Sequence, residues 1–308
     1  MTTMKTTDRR SLLKAGLGGL ASAPLLGGLS ACAQAAKLPT EALTDKVTLI
    51  TGAPGNVLAF ASSDGVVLVD SGAADMAASV KASAGGRVTR LFNTHYHHDQ
   101  TGGNAIFGED GATVHAHEIT RQWLAADYYV PAEDRWVPAI PEAGRPTATF
   151  RTTGEMSAGD ETITYGYLLE AHTRGDAYVF FRNANVLAVG DVASPERDPV
   201  HDWYAGGWLG GRVDAMDDLL ELANDDTKII PAYGPVMSRA DLQAERDMMA
   251  HLYDRTSDLT TKGHSAQDIL DVGVMDEIDR KFDDPYRFLY DVRKGLWAHY
   301  TNFGGATV

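Results

Sequence analysis

The sequence predicts an α/β fold of sheet layers covered by helices, and three observations carry that prediction. Short apolar segments of strand length alternate with stretches of helical periodicity from residue 46 to about 234. No linker, low-complexity tract or internal repeat interrupts the alternation. At 308 residues and 44 % hydrophobic, the chain has an ordinary globular composition and can bury one large core or two small ones.

In chain order, KVTLI (46–50), NVLAFAS (56–62) and GVVLVDSG (65–72) read as strands, followed by a helix near 73–84 and the strand VTRLFNT (88–94). The pattern repeats with the strand ATVHAH (112–117) and a helix near 118–126. ETITYGYLLEAH (161–172), AYVFFR (177–182) and NVLAVGD (185–191) are three further strands; a helix at 212–224 and the strand TKIIPAYG (227–234) follow. Beyond about 238 the periodicity is helical to the end, with DLQAERDMMAHLYDRT and DILDVGVMDEIDRKF as peripheral helices. The expected organisation is an export segment over 1–35, a main domain over 36–258 and a helical extension over 259–308.

The N-terminus has the character of a targeting segment. TDRRSLLK (7–14) precedes a weakly apolar, glycine-rich stretch from Ala15 to Ala31, too short and too broken for a membrane span. It resembles a twin-arginine signal with Arg9 and Arg10 as the pair, which predicts a periplasmic protein. Leu29-Ser30-Ala31-Cys32 fits a lipobox, and Ala33-Gln34-Ala35 fits an A-x-A cleavage site, so the sole cysteine is either a lipid anchor or discarded. Either way the core has no disulfide and no thiol ligand. The formal charge is −15, with no basic block beyond the N-terminus, which argues against a nucleic-acid partner and for a small-molecule substrate. The acidic run DDLLELANDD (217–226) lies on the wet face of its helix, since Val213, Met216, Leu220 and Ala223 keep the apolar spacing. Oligomeric state has no readable signal.

The chemistry concentrates in THYHHDQTGG (94–103). In an extended backbone His95, His97 and Asp99 point one way while Tyr96 and His98 point the other, which makes His95 and His97 a chelating pair and His98 a packing or hydrogen-bonding residue. His172 and Asp191 each follow an apolar strand, at the sheet edge where sites are built. His115, His117, His251, His264 and His299 read as structural. Four of the five tryptophans fall in WLAADYYVPAEDRW (123–136) and WYAGGW (203–208), segments that fit either a substrate wall or ordinary packing.

Taken together, HYHHDQTGGN (95–104), VLVDSG (67–72), HTRGD (172–176), VLAVGD (186–191) and IIPAYG (229–234) resemble, in order, the motifs of the metallo-β-lactamase-fold superfamily. The resemblance spans about 46–240 and implies an αβ/βα four-layer sandwich of two mixed sheets, here with extra C-terminal helices. It implies a first metal site of His95, His97 and His172, with Asp191 as a bridging ligand and Asp99 as a second-site ligand. Gln100 and Tyr233 stand where a usual two-metal member has histidines. The expectation is therefore one zinc per chain, with Asp99 released to act as general base, Tyr233 donating to an oxyanion, and His201 the one candidate for a substitute second-site contact. The implied activity is hydrolysis of an ester, thioester, lactone or amide. Iron-dependent oxygen chemistry of the sulfur-dioxygenase kind and a non-catalytic binding lipoprotein are the alternatives.

Overall fold

The computed structural model describes residues 35–130 and 134–303, so the expected export segment with Arg9, Arg10 and Cys32 lies outside the described residues. Strands β1 (Thr40–Ala42), β2 (Val47–Ile50), β3 (Val57–Ser62), β4 (Gly65–Val69), β5 (Val88–Phe92) and β6 (Thr113–His117) build most of the first sheet. A short hairpin of β7 (Tyr128–Val130) and β8 (Arg135–Val137) stands apart, and β9 (Ala148–Phe150) closes the sheet in the order β1-β2-β3-β4-β5-β6-β9. The second sheet runs β10 (Thr153–Ala158), β11 (Glu161–Tyr167), β12 (Ala177–Phe181), β13 (Val186–Gly190) and β14 (Lys228–Pro231). Both sheets are mixed: β1 to β4 and β10 to β13 are antiparallel, whereas β4-β5-β6-β9 and β13-β14 are parallel.

The period-two alternation of each strand sets the layers. Leu58, Phe60, Val67 and Val69 face Val179, Phe181, Val186 and Ala188 of the second sheet, and this cluster is the seam between the sheets. Their neighbours Val57, Ala59, Val66 and Leu68 point the opposite way, onto Val80 of α1 (Ala77–Ser83) and, past the short helix α2 (His98–Thr101), Phe107 of α3 (Asn104–Glu109). Helix α4 (Glu118–Leu124) follows β6. On the far side, Leu187, Val189 and Ile229 pack under α5 (Leu209–Leu222), α6 (Arg239–Thr261), α7 (Ala266–Asp271) and α8 (Pro285–Phe303). The result is the α/β sandwich of two mixed sheets with added C-terminal helices that the motifs imply.

Helix α6 starts at a capping box of Ser238 and Asp241 and runs through the expected 258/259 boundary. The helices after it bury Ile269, Phe288, Leu289, Val292 and Leu296 in the same core as α5. Asp214, Asp218 and Glu221 are exposed on α5, the wet face anticipated for the acidic run. Among the described residues no helix is long and apolar enough to cross a membrane.

Candidate metal centre

The site lies where β5, β11 and β13 end. Strand β5 stops at Phe92, and the next residues descend into the sheet edge through Thr94, whose N–H and hydroxyl donate to the buried Asp70 carboxylate at 2.9 and 2.8 Å. Gly190 closes β13 at φ 58, and a Cβ there would stand 2.7 Å from the Thr94 hydroxyl, so the VGD segment needs glycine both for its backbone and for this approach.

These turns bring His95, His97, His172 and Asp191 together, with one ligand atom from each lying within 4.8 Å of the others. The three imidazoles form a nearly three-fold set: ring centroids are 4.8, 4.9 and 4.8 Å apart and the planes cross at 84, 85 and 81°. His95 Nε2, both nitrogens of His172 and Asp191 Oδ1 are buried without a hydrogen-bond partner. Buried polar atoms are ordinarily paired; His172 Nδ1 is turned toward Asp176, 3.6 Å away, and the unpaired atoms left on His95, His172 and Asp191, all members of one ligand group, mark an ion's seat. Two bonds of about 2.1 Å at the tetrahedral angle put donors about 3.4 Å apart, so the widest separation in the group closes by about 1.4 Å when an ion binds.

Protonation agrees with this use in the metal-free protein. Burial pushes His95 and His172 down to about 3, which leaves both neutral. Burial pulls His97 down as well, but the Asp202 carboxylate, 3.0 Å from its Nε2, outweighs it and raises the ring to about 9. With Nε2 committed to Asp202, Nδ1 is the His97 nitrogen left for a ligand, the orientation a supporting carboxylate gives. Asp202 also accepts from the buried Tyr96 hydroxyl, and its N–H donates to the His172 carbonyl at 3.1 Å, so one residue ties two ligand segments together.

The helical turn of α2 ends the extended alternation expected for 95–99. Asp99 is placed on that turn, outside the four-residue group, and its Oδ2 accepts from the Tyr233 hydroxyl. Burial raises the Asp99 carboxyl, but His97 and the Tyr233 hydrogen bond bring it below the ordinary range. Burial and the Asp99 charge push Tyr233 far up, so it stays a phenol. Gln100 is fully buried beneath Gly55, both its amide atoms unpaired, and is not in the ligand group. His201 is not in it either; it packs edge-on against Phe288 and burial holds it neutral.

Three groups escaped the sequence reading. Arg197 places Nη2 2.5 Å from Asp191 Oδ2 and lays its guanidinium 3.6 Å over the Tyr233 ring. Burial raises the Asp191 carboxyl, but Arg197 together with His172, His95 and His97 outweighs that and holds it well below the carboxylate range. The wholly buried Arg212 donates to the carbonyls of Asp191, Val192 and Val200 and to the Ser194 hydroxyl. Asp202 is the third. Each lies in or faces the loop after Asp191, where only proximity in sequence to VLAVGD could have drawn attention to it.

The other histidines are structural: His115 stacks on Phe92, His117 on Tyr167 and His299 on Trp208, while His251 pairs with Glu277. His98 accepts from Arg135 of the β7–β8 hairpin. The aromatic segments divide. Trp203 bonds Asp291 and Trp208 stacks on α8, which is packing, whereas Trp123 and Tyr128 back Tyr96 beside the centre, and Trp136 on the hairpin is 68 % exposed.

Comparison with known proteins agrees with this geometry. Residues 50–234 match the sequence model of the family described as the metallo-beta-lactamase superfamily. The chain is 23 % identical over 205 residues to a metallo-beta-lactamase type 2 of Bacillus cereus, covering 64 % of this chain and 73 % of that protein. It superposes on the stereoselective inverting sec-alkylsulfatase Pisa1 from Pseudomonas sp. with a TM-score of 0.61 at 16 % identity, over 86 % of this chain and 50 % of that one, so it spans half that protein's length. A metallo-beta-lactamase from Pontibacter korlensis superposes with a TM-score of 0.56 at 18 % identity, over 70 % of this chain and 99 % of that one. At these identities the structural likenesses carry the fold and nothing finer.

Proposed function

Because the chain belongs to the metallo-beta-lactamase superfamily and is a hydrolase of that fold, we propose that it is a mononuclear zinc hydrolase that cleaves an ester, thioester, lactone or amide of a small molecule. The observation that carries the reading is the three-fold set of imidazoles, in which His95 and His172 are buried, neutral and have unpaired nitrogens while His97 is held by Asp202. Three imidazoles suit zinc, with Asp191 as the fourth group nearby. A bound zinc would supply Lewis acidity and acidify a water to a pKa of about 7.

The chain's own residues then do the rest. Asp99, ionised and outside the ligand group, is the proton acceptor beside the centre. Tyr233 orients Asp99 through its hydroxyl, and donates to an oxyanion only by giving up that bond. Trp123 and Tyr128 stiffen the wall behind Tyr96, and the exposed Trp136 and Tyr129 of the hairpin offer apolar surface to a substrate. The Arg9-Arg10 segment supports export to the periplasm, with Cys32 as lipid anchor or the A-x-A site as the point of release.

Metal analysis of the purified protein, joined to a panel of aryl esters, thioesters, lactones, a β-lactam and a secondary alkyl sulfate, tests the proposal. The last two follow from what the similar proteins are named for. The expected result is about one zinc per chain and turnover that a chelator abolishes and zinc restores. Iron as the bound metal with oxygen consumption, or turnover indifferent to chelation, would overturn it.

A further inference from the structure

We propose that the guanidinium of Arg197 is a resident second cation, tethered to the chain beside Asp191, and that it is this group which limits the centre to one metal ion. The inference rests on reading His95, His97, His172 and Asp191 as a metal centre. It adds what fills the neighbouring position and by what chemistry.

Two carboxylates sit there. Asp191 and Asp99 are both carboxylates on either side of Tyr233 and Arg197, a pair of like charges that a cation placed between them would offset. Arg197 answers both. Its Nη2 is 2.5 Å from Asp191 Oδ2, and the charges of Asp191 and Asp99 stabilise its own. Its plane lies 3.6 Å over Tyr233, whose hydroxyl donates to Asp99 Oδ2. Asp191, Arg197, Tyr233 and Asp99 therefore form one chain of contacts that runs from the first carboxylate to the second through the guanidinium and the phenol.

The guanidinium is fixed there by its backbone as well as its head. Arg280 donates to the carbonyls of Ser194, at 2.6 Å, and of Arg197 itself. Glu245 accepts from the Ser194 N–H at 2.7 Å. Both ends of the 194–197 turn are thus clamped from the C-terminal helical region. An arginine so held blocks a divalent ion in two ways: it takes Asp191 Oδ2, and it repels a second positive charge at short range. Gln100, a neutral amide, contributes no charge to attract one.

Zinc stoichiometry in four proteins tests this, read by elemental analysis after gel filtration at a fixed zinc excess. They are the parent, Gln100→His with Tyr233→His, that pair with Arg197→Met, and that pair with Arg197→Lys. Methionine keeps the stem over residue 233 and removes the charge, whereas lysine keeps the charge. The expected counts per chain are one, one, two and one. Two ions in the histidine pair with Arg197 intact would overturn the inference, as would a single ion in the Met-bearing triple variant. Should that variant fail to fold, Arg197→Met alone is titrated with Mn²⁺, which suits carboxylate oxygen. A second, weaker Mn²⁺ signal absent from the parent is expected, and its absence overturns the inference. A parent that takes up no metal at all would instead remove the metal-centre reading, an outcome distinguished by a count of zero.

Discussion

Replacing Asp202 with alanine sets two effects of that carboxylate against each other, and pH decides which shows. Asp202 holds His97 by its Nε2 at 3.0 Å and takes the Tyr96 hydroxyl, so its loss frees the ring. Removing such a supporting group costs about 10–100-fold in metal affinity, or about 1.4–2.8 kcal/mol. Yet the same carboxylate keeps a proton on metal-free His97 up to about 9. At pH 7 that proton must be displaced, which weakens the parent's apparent affinity about 100-fold relative to pH 9. Without Asp202, burial is opposed only by the charges of Asp99 and Asp191, and the competition at pH 7 is largely relieved. The variant should therefore bind zinc about 10–100-fold more weakly than the parent at pH 9, and close to equally at pH 7. Competition against a chromophoric chelator, with free zinc buffered at each pH, reads both numbers. A variant that loses as much at pH 7 as at pH 9, or nothing at pH 9, would refute the reasoning.

Four other outcomes are expected. Asp99→Asn should keep most of the zinc while turnover falls by about 10²–10⁴, because Asp99 stands outside the ligand group; loss of the metal would make it a ligand. Arg212→Met should lose about 3–5 kcal/mol in urea denaturation, since the carbonyls of Asp191, Val192 and Val200 are left facing an apolar chain; a loss under about 1 kcal/mol would show that these bonds do not hold the loop. Burial raises the Asp70 carboxyl to about 7, so between about pH 4 and 7 the native state binds more protons than the unfolded chain and this group's contribution to stability falls as pH rises. Asp70→Asn should thus gain relative to the parent on going from pH 5 to 8, by at most about 2.7 kcal/mol, and a pH-independent difference would count against it. Finally, Arg9→Lys with Arg10→Lys should abolish periplasmic accumulation, and Cys32→Ala should shift membrane-bound protein to the soluble fraction, a myristoyl-length chain being worth about 0.8 kcal/mol per buried CH₂. Unchanged fractions would exclude the signal and the anchor respectively.

The layers were legible because the strands that make them are short continuous apolar runs buried on both faces: Leu58 and Phe60 on one side with Val57 and Ala59 on the other, Leu187 and Val189 with Val186 and Ala188. The three-residue strands β1 and β9 were not, because so few residues show no period, and β10 was not, because Met156 is its one large apolar residue. The hairpin of β7 and β8 was hidden inside a stretch rich in aromatics, where composition suggested only a loop. The histidines could be found because ligand chemistry depends on residue type, and a strand end confines where such residues fall. The extended pattern misled at Asp99, since α2 begins at His98 and turns the carboxylate toward Tyr233. Arg197, Asp202 and Arg212 were invisible because their parts are assigned by pairings across the fold: Asp202 meets His97 across 105 positions, a distance no local pattern spans.

The clamp from Arg280 on the turn at Ser194 and Arg197 has a consequence for the order of events during synthesis. The His95, His97, His172 and Asp191 group is complete in the chain once residue 191 is added, yet the guanidinium that fixes the turn beside Asp191 is made nearly ninety positions later, 86 residues after Ser194. A nascent chain thus owns every imidazole of the centre well before it can hold their neighbour loop in place. Metal capture in its final form belongs to the finished polypeptide, and a chain cut short before Arg280 would carry all the ligands without the frame that arranges them.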